Sequence, residues 1–94
     1  MDNITLIVFT MKGCPFCSQF KELLDENSIT YHERDIDDYK EEYDLFSKVT
    51  NNDMIPSFMV IDKQNDDYES YLYVPEKDYN ELSEAVEIIK RHIL

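Results

Sequence analysis

The β-branched and aromatic run Ile4-Thr5-Leu6-Ile7-Val8-Phe9-Thr10 leads through Met11-Lys12-Gly13 into Cys14-Pro15-Phe16-Cys17. The run reads as a buried central strand. Met11-Lys12-Gly13 makes the turn. Pro15 suits the first turn of a helix, where its missing N–H is no loss. Phe16, Phe20, Leu23 and Leu24 then recur at helical spacing, and the helix ends near Asn27-Ser28. A strand that feeds directly into a helix calls for a layered α/β fold. It also places the only two cysteines of the chain at the helix start.

The remaining elements follow from the same periodicities. Ile29–Ile36 reads as a second strand, parallel to the first through a right-handed crossover. Asp37 or Asp38 caps a second helix, Asp38 with Glu41 resembling a capping box. Tyr39, Tyr43, Phe46 and Val49 form its apolar stripe, and Asn51-Asn52-Asp53 ends it. Pro56 opens a third strand, Ser57–Asp62. Lys63–Asp67 turns the chain, and Tyr68–Val74 alternates as an edge strand. Asp78 with Glu81 offers another capping box before a last helix with Tyr79, Leu82, Val86, Ile89 and Ile93 on its apolar face. The order is βαβαββα, and the expected architecture is one four-stranded mixed sheet with helices on both faces.

Ninety-four residues make one domain, 1–94, with a modest core. The formal net charge of -12 argues against nucleic acid or an anionic membrane as partners, and would attract a basic one. Asp2 and Asn3 precede the first strand without a basic stretch, so no signal peptide is expected. A paired-cysteine motif without an export signal suits a reducing compartment, the cytoplasm, where it serves redox or metal chemistry.

The Cys14–Cys17 spacing allows a small disulfide to close and reopen. As a staple it would close too short a loop to gain much stability. Cys14 would sit at the helix N-cap, where N–H groups near Phe16 and Cys17 and the positive helix end favour a thiolate. Lys12 is the nearest cation, and no acidic residue lies within Met11–Phe20. Cys14 is then the attacking thiol, Cys17 the more buried resolving one, and Pro15 stiffens the turn and tunes the pair. Zinc is a poor alternative. It normally takes four ligands, and only His32 and His92 remain as soft donors. No metal site is assigned.

Over residues 4–93 the chain resembles a glutaredoxin, a dithiol member of the thioredoxin-fold superfamily, similar to phage or bacterial examples. Val8–Cys17 carries most of the likeness. The family has Cys-Pro-Tyr-Cys there, with a lysine two residues ahead of the first cysteine, and Phe16 replaces its tyrosine. Met54-Ile55-Pro56-Ser57 matches the family's cis-proline segment, which lies beside the active cysteine and pairs with an incoming peptide or glutathione. The Gly-Gly and paired aspartates that hold the far end of glutathione in the family are missing. Residues 73–82 read Tyr-Val-Pro-Glu-Lys-Asp-Tyr-Asn-Glu-Leu, and free N–H groups of the last helix could still take a carboxylate.

The resemblance implies a glutathione-dependent thiol–disulfide oxidoreductase. Cys14 and Cys17 would be catalytic, and Lys12, Phe16, Ile55, Pro56 and Asn80 would bind glutathione or substrate. Lys40 is a further candidate for a glutathione carboxylate. Glutathione is the reducing co-substrate, with no tightly bound cofactor. Partners are disulfide-containing proteins, ribonucleotide reductase among them, and a monomer is expected, in the host cytoplasm if the gene is a phage's. Two alternatives stand: recharging by thioredoxin reductase, and a module binding a glutathione-ligated iron–sulfur cluster. Tyr68, Tyr71 and Tyr73 read as hairpin packing, with partner contact as the other option.

Overall fold

The computed structural model describes residues 3–64 and 67–93. Its elements are β1 (Ile4–Thr10), α1 (Pro15–Glu26), β2 (His32–Asp35), α2 (Lys40–Thr50), β3 (Ser57–Gln64), β4 (Asp67–Tyr73) and α3 (Leu82–Ile93). The sheet has four strands in the order β2-β1-β3-β4. β1 pairs parallel with β2 and antiparallel with β3, and β3 pairs antiparallel with β4. No helix among the described residues is long and apolar enough to cross a membrane.

β1 is central because both of its faces are apolar. Side chains alternate across a strand, so Leu6 and Val8 enter one core while Ile7 and Phe9 enter another. The Leu6/Val8 face packs with Phe58 and Val60 of β3, Phe20 and Leu24 of α1, and Ala85, Val86 and Ile89 of α3. The Ile7/Phe9 face packs with Tyr43 and Phe46 of α2. The helices therefore cover both faces, α1 and α3 on one and α2 on the other. Each fully buried side chain of this size contributes about 1.5–3 kcal/mol.

Several element boundaries differ from the sequence reading, each for a local reason. β2 starts at His32 rather than Ile29. Ser28 takes φ 56, and the Ile29 N–H donates to Leu24 O at 2.9 Å, so Ile29 closes the end of α1 and is buried in the core. No capping box starts α2. Tyr39 is its N-cap without a side-chain bond, because Asp35 directs the turn by accepting from the N–H groups of Asp37, Asp38 and Tyr39. Only Tyr43 and Phe46 of the expected stripe are buried; Tyr39 is 41% and Val49 67% exposed. The Arg34 guanidinium instead lies 4.5 Å from the centre of the Tyr39 ring.

The hairpin extends further than expected, with Gln64 opposite Asp67 as its last described pair. Residues 65–66, the middle of the expected Lys63–Asp67 turn, lie outside the described residues. Asp2, ahead of β1, is also outside them. Val74 leaves β4 and is buried against the α2 side of the sheet. Tyr71 and Tyr73 pack towards the core, and the Tyr73 hydroxyl and His92 Nε2 share a hydrogen bond of 2.7 Å. Tyr68 is 65% exposed.

The expected Asp78–Glu81 box is likewise replaced. The Asp78 carboxylate accepts from the Val74 N–H at 2.8 Å and closes the loop after β4. Glu84 Oε1 accepts from the N–H groups of Asn80 (3.2 Å) and Glu81 (2.9 Å), which starts α3 at Leu82. Tyr79 is therefore outside the helix and buried in the loop.

Candidate active site

Gly13 and Cys14 place the sulfur. Gly13 has φ +76, a conformation that L side chains rarely adopt, so this turn requires glycine. Cys14 is the N-cap of α1, extended at φ -96 and ψ 107, with Pro15 in the first turn. Its Sγ accepts from the Cys17 N–H at 3.2 Å. A helix N–H aimed at a sulfur stabilises negative charge there. No bond from the Phe16 N–H to this sulfur accompanies it among the described residues.

Cys14 is partly exposed, whereas Cys17 is 2% exposed, and both are free thiols. Burial, and then the hydrogen bond with the Cys14 side chain, push the Cys17 thiol up from 9.0 to about 12. A thiol pushed up on folding stabilises the fold fully below its unfolded value, and that contribution is lost as pH rises. The reduced protein should therefore lose stability between about pH 9 and about pH 12 through this group. Urea melts at several pH values should show this loss diminished in Cys17→Ser; an identical pH slope in both proteins would contradict it.

Lys12, Cys14, Pro15 and Cys17 share a hollow with Thr10, Lys21, Glu33 and Asp35. The stretch Met11–Phe20 carries no acid, but β2 supplies two from outside it. Parallel pairing sets Val8 against Glu33 and Thr10 against Asp35, which brings two carboxylates of β2 to the cysteine turn. Glu33 accepts from the Thr10 hydroxyl at 2.8 Å and pairs with the Lys21 ammonium at 3.0 Å. The Thr10 bond, aided by Lys21, holds the Glu33 carboxyl below its ordinary value. Lys21 follows Cys17 by one helical turn and could have been found from that spacing.

Phe16, Ile55, Pro56 and Asn80 line a different depression, a groove of about 440 Å³ on the other side of the cysteine turn. Phe16 is 61% exposed at its mouth. The Ile55–Pro56 bond is cis. Neither the Ile55 N–H nor its carbonyl has a hydrogen-bond partner among the described residues. Lys40 opens α2 and lines neither depression. Among the described residues, no three His, Cys, Asp or Glu side chains gather as a metal site.

Tyr79, at helical spacing from Leu82 and Val86 in the sequence, instead supports the proline segment. Its hydroxyl donates to Pro56 O at 2.5 Å, and its ring stacks on Phe58 with centroids 5.6 Å apart. Burial pushes the phenol well up, so it stays a neutral donor. Tyr79→Phe leaves a buried carbonyl unpaired and should lower stability by about 1–3 kcal/mol, read from urea denaturation. An unchanged midpoint would mean that this bond contributes nothing.

The family profile described as glutaredoxin matches residues 6–64. Glutaredoxin 1 of Rickettsia conorii is 40% identical over 38 residues, which is 40% of this chain and 37% of that protein. Glutaredoxin 1 of Rickettsia typhi is 36% identical over 45 residues, 47% of this chain and 43% of that protein. The matched stretches thus span less than half of these curated relatives. Among solved structures, Trichomonas vaginalis thioredoxin superposes with a TM-score of 0.62 at 14% identity, covering 95% of this chain and 78% of that one. Plasmodium falciparum thioredoxin gives 0.63 at 18% identity, covering 92% and 70%. These structural likenesses identify the thioredoxin fold. With the profile covering well over half its length, the chain belongs to the glutaredoxin family.

Proposed function

We propose that the protein is a thiol–disulfide oxidoreductase that reduces disulfides through Cys14 and Cys17, with glutathione as the reducing co-substrate. The observation that carries this reading is the partly exposed Cys14 sulfur at the N-cap of α1, with the buried Cys17 one helical turn behind it. The Cys14 thiolate attacks one sulfur of a substrate disulfide. That bond breaks, a Cys14–substrate disulfide forms, and the other substrate sulfur leaves as a thiolate that takes a proton from solvent. Cys17 gives up its proton, attacks Cys14 Sγ and releases the second substrate sulfur. Two electrons pass from the dithiol to the substrate, leaving a Cys14–Cys17 disulfide. Two glutathione thiols then restore the dithiol and become glutathione disulfide.

The backbone groups of Ile55, unpaired among the described residues and beside Pro56 in the lining of the groove, suit pairing with the substrate main chain. Phe16 offers it an apolar surface, Lys12 is, with Lys21, one of two lysines in the hollow with Cys14, and Pro15 stiffens the turn. Acceptors are disulfide-bearing proteins of the cytoplasm, and ribonucleotide reductase is a candidate suggested by the family. Turnover of a glutathione mixed disulfide, coupled to glutathione and glutathione reductase, tests this reading.

A second reading has a specific observation in its favour. Glu84 occupies the N–H groups of Asn80 and Glu81, where a glutathione carboxylate would otherwise dock. It fits a dithiol recharged by thioredoxin reductase. Turnover with that reductase and none with glutathione would decide for it.

A further inference from the structure

The groove beside the cysteine turn has an apolar floor and an acidic far wall. Phe16, Met54, Ile55, Pro56 and Leu82 supply apolar surface, with Phe16 61% and Met54 39% exposed. Glu76 and Glu81 stand exposed along the segment between β4 and α3. No lysine, arginine or histidine lines the groove, and neither glutamate has an ion-pair partner among the described residues. The amide groups of Asn80 and Glu81 before α3 are satisfied internally by Glu84. Glu76 is held in place at φ 71, with its N–H donating to Tyr79 O at 2.7 Å.

We propose that this groove selects polypeptide disulfides carrying Lys or Arg beside an apolar residue next to the half-cystine, and disfavours polypeptide disulfides carrying Asp or Glu there. The proposal rests on the oxidoreductase reading and names its substrate class. An extended peptide placed along Ile55 would set an apolar side chain on Phe16 and Met54, and a following cation against Glu76 and Glu81. Complementary charge acts on encounter rate and on rejection of the wrong partner. The net charge of -12 adds a weaker, distributed attraction, so a local effect must be separated from a global one.

The test uses three disulfide peptides identical except for the residues flanking the half-cystine: Lys, Gln or Glu. Turnover is measured for the unmodified protein, for Glu76→Gln/Glu81→Gln, and for Glu41→Gln/Asp44→Asn on α2. We expect kcat/KM for the Lys peptide to exceed that for the Glu peptide by roughly tenfold at low salt, narrowing as salt rises. The ratio should fall to about twofold in the groove variant, as expected when two short-range charges are removed, and persist in the α2 variant. Equal rates for all three peptides overturn the proposal and leave the oxidoreductase reading intact. So does a ratio that survives in the groove variant, or one that the α2 variant reduces equally. No turnover of any peptide overturns both.

Discussion

Cys14→Ser is expected to abolish disulfide reduction, with turnover falling at least about a thousandfold while the fold remains intact. Three features make the effect large. A hydroxyl is far too weakly acidic to supply the anion that attacks a disulfide sulfur. The N–H of Cys17 that now points at Cys14 Sγ would meet a neutral oxygen instead. Cys17 cannot substitute, because it is 2% exposed and its thiol is pushed up by burial. Serine still caps a helix well, so circular dichroism and the urea midpoint should change little. Retention of more than a few per cent of turnover would show that Cys14 is not the attacking thiol.

The second large effect is on stability, at Phe58. This ring is fully buried at the meeting of the sheet and the helices. Its centroid lies 5.0 Å from that of Tyr73, 5.6 Å from Tyr79 and 5.7 Å from Phe20. Those neighbours come from β4, the segment between β4 and α3 whose Tyr79 bonds to the Pro56 carbonyl, and α1. A cavity at Phe58 would therefore loosen the support of the cysteine helix and of the proline segment together. Phe58→Ala should destabilise by about 3–5 kcal/mol. Small domains have only about 5–15 kcal/mol in total, so a large fraction of the molecules should be unfolded at mild heating. Urea denaturation should show a midpoint lower by roughly 2 M, given a slope of about 1–3 kcal/mol per molar. A loss below about 1 kcal/mol would mean that the core closes over the gap.

The parts of the molecule legible from sequence are those fixed by near neighbours. β1 was visible because it is apolar on both faces, and α1 because Pro15 and the Phe20/Leu24 spacing mark it. The Cys14 cap follows from both. Contacts set by register were not legible. Glu33 and Asp35 reach the cysteine hollow only through the pairing of Val8 with Glu33 and Thr10 with Asp35. Caps were misassigned where several acids compete: Asp35 rather than Asp38 directs the turn before α2, and Glu84 rather than Asp78 satisfies the amides before α3. Tyr79 kept helical spacing with Leu82 and Val86, yet its hydroxyl is drawn out of that register to the Pro56 carbonyl. A periodicity cannot report a bond to a residue distant in sequence.

The central claim is that Cys14 and Cys17 act as one two-electron couple with unequal roles. It is tested most directly by mixing each reduced protein with one equivalent of a neutral peptide disulfide and mapping the products by mass spectrometry. The account predicts that the unmodified protein becomes lighter by its two thiol hydrogens, with Cys14 joined to Cys17 and both peptide thiols released. It predicts that Cys17→Ser stops with the peptide attached to Cys14, and that Cys14→Ser carries no peptide in the same time. Attachment at Cys17, or an unmodified protein left fully reduced, would contradict it.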